Sequence, residues 1–120
     1  MRKINIAVVC DCEKYVDYIE MVSFILQELF TSKGLIFYKC PPPQYLFENE
    51  CIRVKFFNLD GTLRGHKADI VFYDKDIERD DVKMFLNPMT SFSIFKNPLI
   101  AFKWESLFRE WEYVFSSLGI

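Results

Sequence analysis

Two short apolar runs constrain the fold of this sequence more than any other feature. "INIAVVC" (4–10) and "ADIVFYD" (68–74) are almost continuously apolar and rich in β-branched residues. Strands of this composition are buried on both faces, as they are in parallel sheets that carry helices on each side. The two runs therefore predict central strands of an α/β domain.

Helical periodicity lies between and after these strands. Apolar residues recur at spacings of three and four over about 13–32 and again over 104–118, which predicts two amphipathic helices. Further elements are predicted as strands over 35–40 and 98–103 and as a short helix over 77–86, ended by Asn87 and Pro88. We therefore expect a single three-layer α/β domain over residues 1–120, with a mostly parallel sheet.

A β-hairpin is predicted in the middle of the chain. "CIRVKFFN" (51–58) alternates apolar and basic residues, and Leu59, Asp60 and Gly61 have the chemistry that a tight turn needs. The return strand would begin at Thr62. This element adds an antiparallel pair to the otherwise parallel sheet.

Composition excludes several classes of function and location. The chain has 120 residues, of which 51% are hydrophobic, so it can bury a core. Its net charge of -2 offers no global attraction for nucleic acid, and such a contact requires a local basic patch. Without a signal peptide or membrane span, we expect a cytoplasmic protein with no membrane partner and with reduced cysteines. The four cysteines lack the spacing of a zinc site, so no structural metal is expected.

Acidic residues follow both of the central strands. Asp11 comes after the first, and Asp74 and Asp76 come after the second. Ligands of α/β sheets bind at the carboxyl ends of the strands, so these three carboxylates are candidates for holding Mg²⁺ or another ligand. Aspartates are also common helix caps and turn formers, which is the alternative explanation of their positions.

Basic residues cluster along the predicted hairpin: Arg53, Lys55, Arg64, His66 and Lys67. They are candidates for contacting the phosphates of a nucleic acid without reading its sequence. The alternative is a solvated set of charges that protects an edge strand from unwanted pairing. His66 has no serine or cysteine at motif spacing, so it is interpreted as a surface residue, and no catalytic residue is assigned.

The C-terminal helix carries more aromatic residues than packing on one sheet face requires. The candidates for contacting a partner are Trp104, Phe108, Trp111 and Phe115. Large aromatic side chains dominate the energetics of protein interfaces, and the alternative for Trp111 is a place in the core. Phe92 and Phe95 are predicted to be core residues.

One segment resembles a known family. "FFNLDGTLRGHKADIVFYDKD" is similar to the region before the second nucleotide motif of phage terminase-like and helicase-like P-loop ATPases. Arg64 and Gly65 match an Arg-Gly pair of that family, and Asp74 matches the acid that helps to hold Mg²⁺. The chain has no phosphate loop, and Lys75 stands where the family has its catalytic glutamate. The resemblance therefore implies a degenerate, catalytically inactive relative, of phage or mobile-element origin.

A second resemblance is to two-component receiver domains. Asp11 and Glu13 after the first strand, with "ADIVFYDKDI" later, look like the acidic pair and the phosphoacceptor strand of that family. This resemblance makes Asp74 the candidate phosphoacceptor beside Mg²⁺. The chain departs from the pattern because its first half is longer and Lys103 follows Asp74 too closely to match the receiver lysine.

Two functions remain open from the sequence. The first is a non-catalytic binding or regulatory protein without a cofactor, which docks on a protein partner or on a second copy of itself. The second is a Mg²⁺- or nucleotide-dependent protein that uses Asp11, Asp74 and Asp76. The incomplete nucleotide motifs and the surplus of aromatic residues favour the first.

Overall fold

Six strands form one mixed sheet in the computed structural model of the chain. The structure describes residues 3–10, 15–34, 38–40, 46–59, 63, 65–103 and 107–117, and leaves out the side chains of residues 15, 18, 38–40, 107, 108 and 115. The strands are β1 (Ile4–Cys10), β2 (Tyr38–Cys40), β3 (Leu46–Glu48), β4 (Ile52–Asn58), β5 (Ile70–Asp74) and β6 (Leu99–Phe102). They lie in the order β2-β3-β4-β1-β5-β6.

Four of these strands are parallel. β1 pairs in parallel with both β4 and β5, and β5 pairs in parallel with β6. The predicted central strands 4–10 and 68–74 are thus neighbours, although the second one begins two residues later than predicted, at Ile70. Numbered along the chain, the parallel strands lie in the order second, first, third, fourth, which is how flavodoxin-like doubly wound sheets begin.

The sheet contains an antiparallel hairpin, but it is not the predicted one, because the strand that pairs with β4 comes before it in the chain and not after it. β4 pairs antiparallel with β3 across a connection of residues 49–51, and β3 pairs antiparallel with β2. Residues 63 and 65–69, which follow the predicted turn and are described, form no strand. Thr62 lies outside the described residues. Because β1 and β3 flank β4, it is an internal strand of the sheet.

Helices cover the two faces of the sheet and create two cores. α1 (Tyr15–Ser32) and α3 (Leu107–Ser117) pack on the first face, against alternate residues such as Ile6, Val8 and Val54. The second face carries Ala7, Val9 and other buried residues beneath the segment that links β5 to β6. This arrangement confirms the three-layer α/β architecture.

The β5–β6 link is helical but irregular. It begins with a single α-helical turn, α2 (Arg79–Asp81), continues as a π-helical turn (Val82–Leu86) and ends as a 3₁₀ turn (Asn87–Thr90). Asn87 and Pro88 therefore change the type of helix, whereas the sequence predicted that they end it. Proline is tolerated there because it lies in the first turn of the 3₁₀ segment, where its missing N–H is not required.

Candidate functional site

The carboxyl ends of β1 and β5 lie side by side, as the sequence predicted. Val9 pairs with Tyr73 in the parallel register of these strands, and Cys10 pairs with Asn58 of β4. Asp74 therefore lies at the carboxyl ends of the parallel strands, where ligands of doubly wound folds bind. Asp11 lies outside the described residues, so the structure does not place its carboxylate.

Asp74 has a structural task at this edge. Its side chain is buried, and its Oδ1 accepts a hydrogen bond from the backbone N–H of Asp76 at 3.0 Å. Its carbonyl oxygen accepts another from the N–H of Ile77 at 3.0 Å. These bonds close an Asx-type turn directly after β5. Within the described part of the chain, no three His, Cys, Asp or Glu residues are grouped so that they could hold a metal ion.

The structure brings four of the predicted basic residues together. Arg53, Lys55, His66 and Lys67 line one cavity of about 210 Å³ on the second face of the sheet. The cavity is called here the basic groove, and its remaining walls include Asn5 and Phe57, which line it from β1 and β4. Arg64, the fifth predicted member, lies outside the described residues.

Edge protection does not explain Arg53 and Lys55, because β4 is an internal strand. The alternation of β4 places Ile52 and Val54 in the first core and turns Arg53 and Lys55 toward the second face. The buried residues of the second core belong to β1, β5 and the segments after β4, and none of them belongs to β4 itself. Phe57 of β4 is half-buried against that core, whereas Arg53 and Lys55 occupy the part of the second face that the core does not cover.

The cations of the basic groove differ in how they are held. Arg53 donates to Oε1 of Glu48 from Nε at 3.2 Å and from Nη2 at 2.9 Å, and Lys3 donates to the same oxygen. Lys67 Nζ donates to the carbonyl oxygen of Pro88 at 2.8 Å and to the hydroxyl of Ser91 at 3.0 Å. These bonds hold Arg53 and Lys67 in place along the groove.

Lys55 is different from the other cations. It is exposed, and its ammonium group forms no hydrogen bond or ion pair with any residue that the structure describes. A lysine in this state keeps its full hydration and its three donors for an incoming anion. Lys55 is therefore the most available cation of the groove.

The hydrogen bonds from Lys3 and Arg53 lower the pKa of Glu48 below its ordinary value of 4.5. Because folding lowers this pKa, the bonds of Glu48 with Lys3 and Arg53 contribute to the stability of the fold. This contribution is complete above about pH 5 and disappears as the pH falls through the folded-state pKa. We expect Glu48→Gln to lower the free energy of unfolding by about 0.5–1 kcal/mol at neutral pH, since both partners are partly exposed. Denaturant titrations from neutral to acid pH should show the variant and the parent converging.

The matched control for that substitution is Glu50→Gln, which changes an exposed glutamate in the same turn. We expect it to leave the free energy of unfolding unchanged. A difference between Glu48→Gln and the parent that does not shrink toward acid pH would contradict the ionic origin of the effect.

Trp111 is a core residue and not an interface residue. Its side chain is fully buried and stacks on Phe72 of β5, with ring centroids 4.3 Å apart and planes inclined by 13°. The expectation that it contacts a partner is wrong, because Trp111 belongs with Val114 to the core that α1 and α3 form with the sheet. Trp104 lies outside the described residues, as do the side chains of Phe108 and Phe115.

A larger cavity, of about 540 Å³, lies between α3 and the β5–β6 side of the sheet. Its apolar lining includes Ile70, Phe95, Ile100, Tyr113 and Val114. Three charged residues also line it: Lys96, Arg109 and Glu110. We call this cavity the α3 groove.

Seven large apolar side chains among the described residues are exposed, none of which the sequence singled out as exposed, and three of them are the most open to solvent. Ile94 is 83% exposed, Phe92 is 76% exposed and Tyr113 is 72% exposed. Phe92 was predicted to lie in the core with Phe95, and only Phe95 packs against it. The segment from 91 to 97 has no helical or strand periodicity, so its pattern does not separate inward-facing from outward-facing residues.

The described helices do not suit a membrane span, and the comparisons with known proteins find no match. Among the helices that the structure describes, none has the length and apolar character needed to cross a membrane. The resemblances to P-loop ATPases and to receiver domains stay predictions. No family model, curated protein or solved structure matches the chain.

Proposed function

We propose that this chain is a small non-catalytic binding protein that acts through protein–protein contacts, with the α3 groove as its docking surface and a second copy of the chain as its partner. The observation that carries the proposal is the exposed apolar side chain of Tyr113 in the wall of a large apolar cavity. Ile94, which precedes the groove residue Phe95 in the chain, is exposed as well. Apolar surface of this kind marks interaction sites in soluble proteins.

The position of β6 supports a second copy as the partner. β6 is the last strand of the sheet and pairs with β5 alone among the described strands. Its outer edge offers backbone donors and acceptors to another strand. Pairing of two β6 strands about a two-fold axis perpendicular to the sheet would continue the sheet and bring two α3 helices together on the same face.

The charges of the α3 groove also suit a self-complementary contact. Lys96 and Arg109 are cationic and Glu110 is anionic, so the same surface presents both signs. In a two-fold contact, a residue that meets a second residue of the other copy is matched by the same pair on the opposite side of the axis. A surface that carries both signs can therefore pair with itself. A groove of one sign would repel its own copy.

The bonding of Asp74 supports a role without catalysis. Its side chain is buried and its Oδ1 accepts the N–H of Asp76, so a turn after β5 accounts for this carboxylate without a ligand. The alternative, a Mg²⁺- or nucleotide-dependent protein, would gain if Mg²⁺ with ATP or an acyl phosphate raised the melting temperature by several degrees. The binding proposal expects no such shift.

The proposal predicts that Tyr113→Ala weakens self-association. An aromatic residue at the centre of an interface contributes about 2 kcal/mol, and a two-fold dimer loses this contribution from both copies, so its dissociation constant should rise roughly a thousandfold. Sedimentation equilibrium over a range of concentrations measures this constant. Because Tyr113 is largely exposed in the single chain, the free energy of unfolding of the monomer should change by only about 0.5 kcal/mol.

Phe24→Ala provides the matched control. Phe24 is 66% exposed on the outer side of α1, and it does not line the α3 groove. Its replacement should leave the dissociation constant unchanged. A parent protein that is monomeric at every concentration, or a control that weakens association as much as Tyr113→Ala, would contradict the proposal.

A further inference from the structure

We propose that the basic groove binds single-stranded nucleic acid, with phosphates held by Arg53, Lys55 and Lys67 and a base stacked on Phe92. This function goes beyond the protein–protein contact proposed above. It uses the second face of the sheet, whereas the α3 groove lies on the first.

The local charge around the groove is opposite to that of the whole chain. The groove and its rim contain the cations Lys3, Arg53, Lys55 and Lys67 and the carboxylates of Glu48 and Asp69. Four positive and two negative groups leave this surface positive by two, whereas the chain as a whole has a net charge of -2. A local excess of cations on an acidic protein attracts phosphates to one place.

An exposed aromatic ring continues the groove. A neighbouring cavity of about 260 Å³ shares Asn5 and Lys67 with the basic groove and adds Phe92. Lys67 Nζ lies 5.4 Å from the centroid of the Phe92 ring, so a cation and an open stacking surface are adjacent. Proteins that bind single strands combine these two features, cations for the backbone and aromatic rings for the bases.

The wall that carries Lys67 and Phe92 is fixed before any ligand arrives. Asp69 Oδ2 accepts a hydrogen bond from the N–H of Asn5 at 2.8 Å, and the carbonyl oxygen of Asp69 accepts one from the hydroxyl of Ser93 at 2.6 Å. Lys67 is itself bonded to Pro88 and Ser91. A groove that is already ordered loses little entropy when it binds a ligand.

The shape of the site favours a single strand over a duplex. The cations lie in a concavity on the sheet face, between β4 and residues 66–68. Direct readout of a duplex uses a helix or a β-ribbon that enters one of its grooves. A single strand can instead lay its backbone along the concavity and turn a base onto Phe92.

The experiment measures the fluorescence anisotropy of labelled oligothymidylate and oligouridylate with the full chain at several salt concentrations. About three phosphate contacts predict a slope of roughly −2 in a plot of log K against log salt concentration. Lys55→Glu should weaken binding about tenfold and reduce that slope by about one. Phe92→Ala should weaken binding about tenfold with the slope unchanged, because a stacked base carries no charge to the ring.

Lys33→Glu is the matched control, since it reverses an exposed lysine at the end of α1, the helix that packs on the other face of the sheet. The control should bind like the parent. The tighter of the two oligonucleotides identifies DNA or RNA as the ligand, and either result supports the proposal.

Four results would overturn the proposal. They are the absence of binding at about 50 mM salt, equal weakening by Lys33→Glu and Lys55→Glu, tighter binding of a duplex of the same sequence, and complete competition by inorganic phosphate at the concentration of oligonucleotide phosphate. The last result would show that the groove holds a single phosphate group only.

Discussion

Replacing Trp111 with alanine is expected to lower the free energy of unfolding by about 3–5 kcal/mol, the usual range for removing a large aromatic side chain from a core. The side chain is fully buried, and its indole stacks on Phe72 of a central strand. The substitution leaves a cavity between α1, α3 and the sheet that the packed backbone cannot close. Chemical denaturation with fluorescence or circular dichroism measures the loss.

Tyr113→Ala is the control from the same helix, because Tyr113 points away from the core. Its effect on unfolding should be small by comparison. If Trp111→Ala altered the association state while the free energy of unfolding fell by less than about 1 kcal/mol, the assignment of Trp111 to the core would be wrong.

Asp69→Ala is expected to cost about 2–3 kcal/mol, because it removes a buried, charged acceptor from the backbone donor of a half-buried residue. The carboxylate is buried and accepts the N–H of Asn5, while the backbone N–H of Asp69 donates to the carbonyl oxygen of Asn5 at 2.8 Å. These reciprocal bonds join the segment before β5 to β1. Thermal and denaturant unfolding of the variant measure their contribution.

Asp69→Asn separates the geometry of this contact from its charge. The amide oxygen of asparagine can accept the same hydrogen bond from Asn5, so about half or more of the loss should be recovered. Equal destabilisation by both substitutions would show that the negative charge, and not the accepted hydrogen bond, holds the two segments together.

The central strands were predictable because burial on both faces leaves a direct mark in the sequence. The run at 4–10 matches β1 from end to end, and the alternation at 51–58 matches the alternating burial of β4. The short helical link was also predicted, and Ile77 and Leu86 of the predicted range are buried in the second core. The apolar pattern of a segment is sufficient to predict its secondary structure when a single residue spacing determines which of its side chains are buried.

Long-range pairing was not predictable in the same way. β3 has only three residues, Leu46–Glu48, and follows a proline-rich stretch that favours a loop. The chemistry after Asn58 suits a hairpin turn, yet β4 takes its antiparallel partner from the residues before it. The choice of pairing partner for a strand depends on the packing of the whole sheet. No short segment of the sequence encodes this choice.

The candidate sites, too, could be predicted from the sequence only in part. The sequence supplied the basic residues of the groove, but only the internal position of β4 shows that Arg53 and Lys55 are not there to protect an edge. On α3, Trp111 and Tyr113 are both aromatic, and the packing of the helix against α1 and the sheet decides that the first is buried and the second exposed. The residue types indicate which side chains could form a site, and the tertiary packing determines which of these side chains are exposed.

Hydrogen exchange at β6 tests the central claim, self-association through the α3 groove and its edge strand, most directly. Some backbone amides of Leu99–Phe102 point away from β5, and in a single chain they face solvent at the sheet edge. The proposal predicts that these amides become protected as the protein concentration rises through the dissociation constant, and that Tyr113→Ala shifts this protection to higher concentration. Exchange of the same amides at one rate across all concentrations would contradict the proposal.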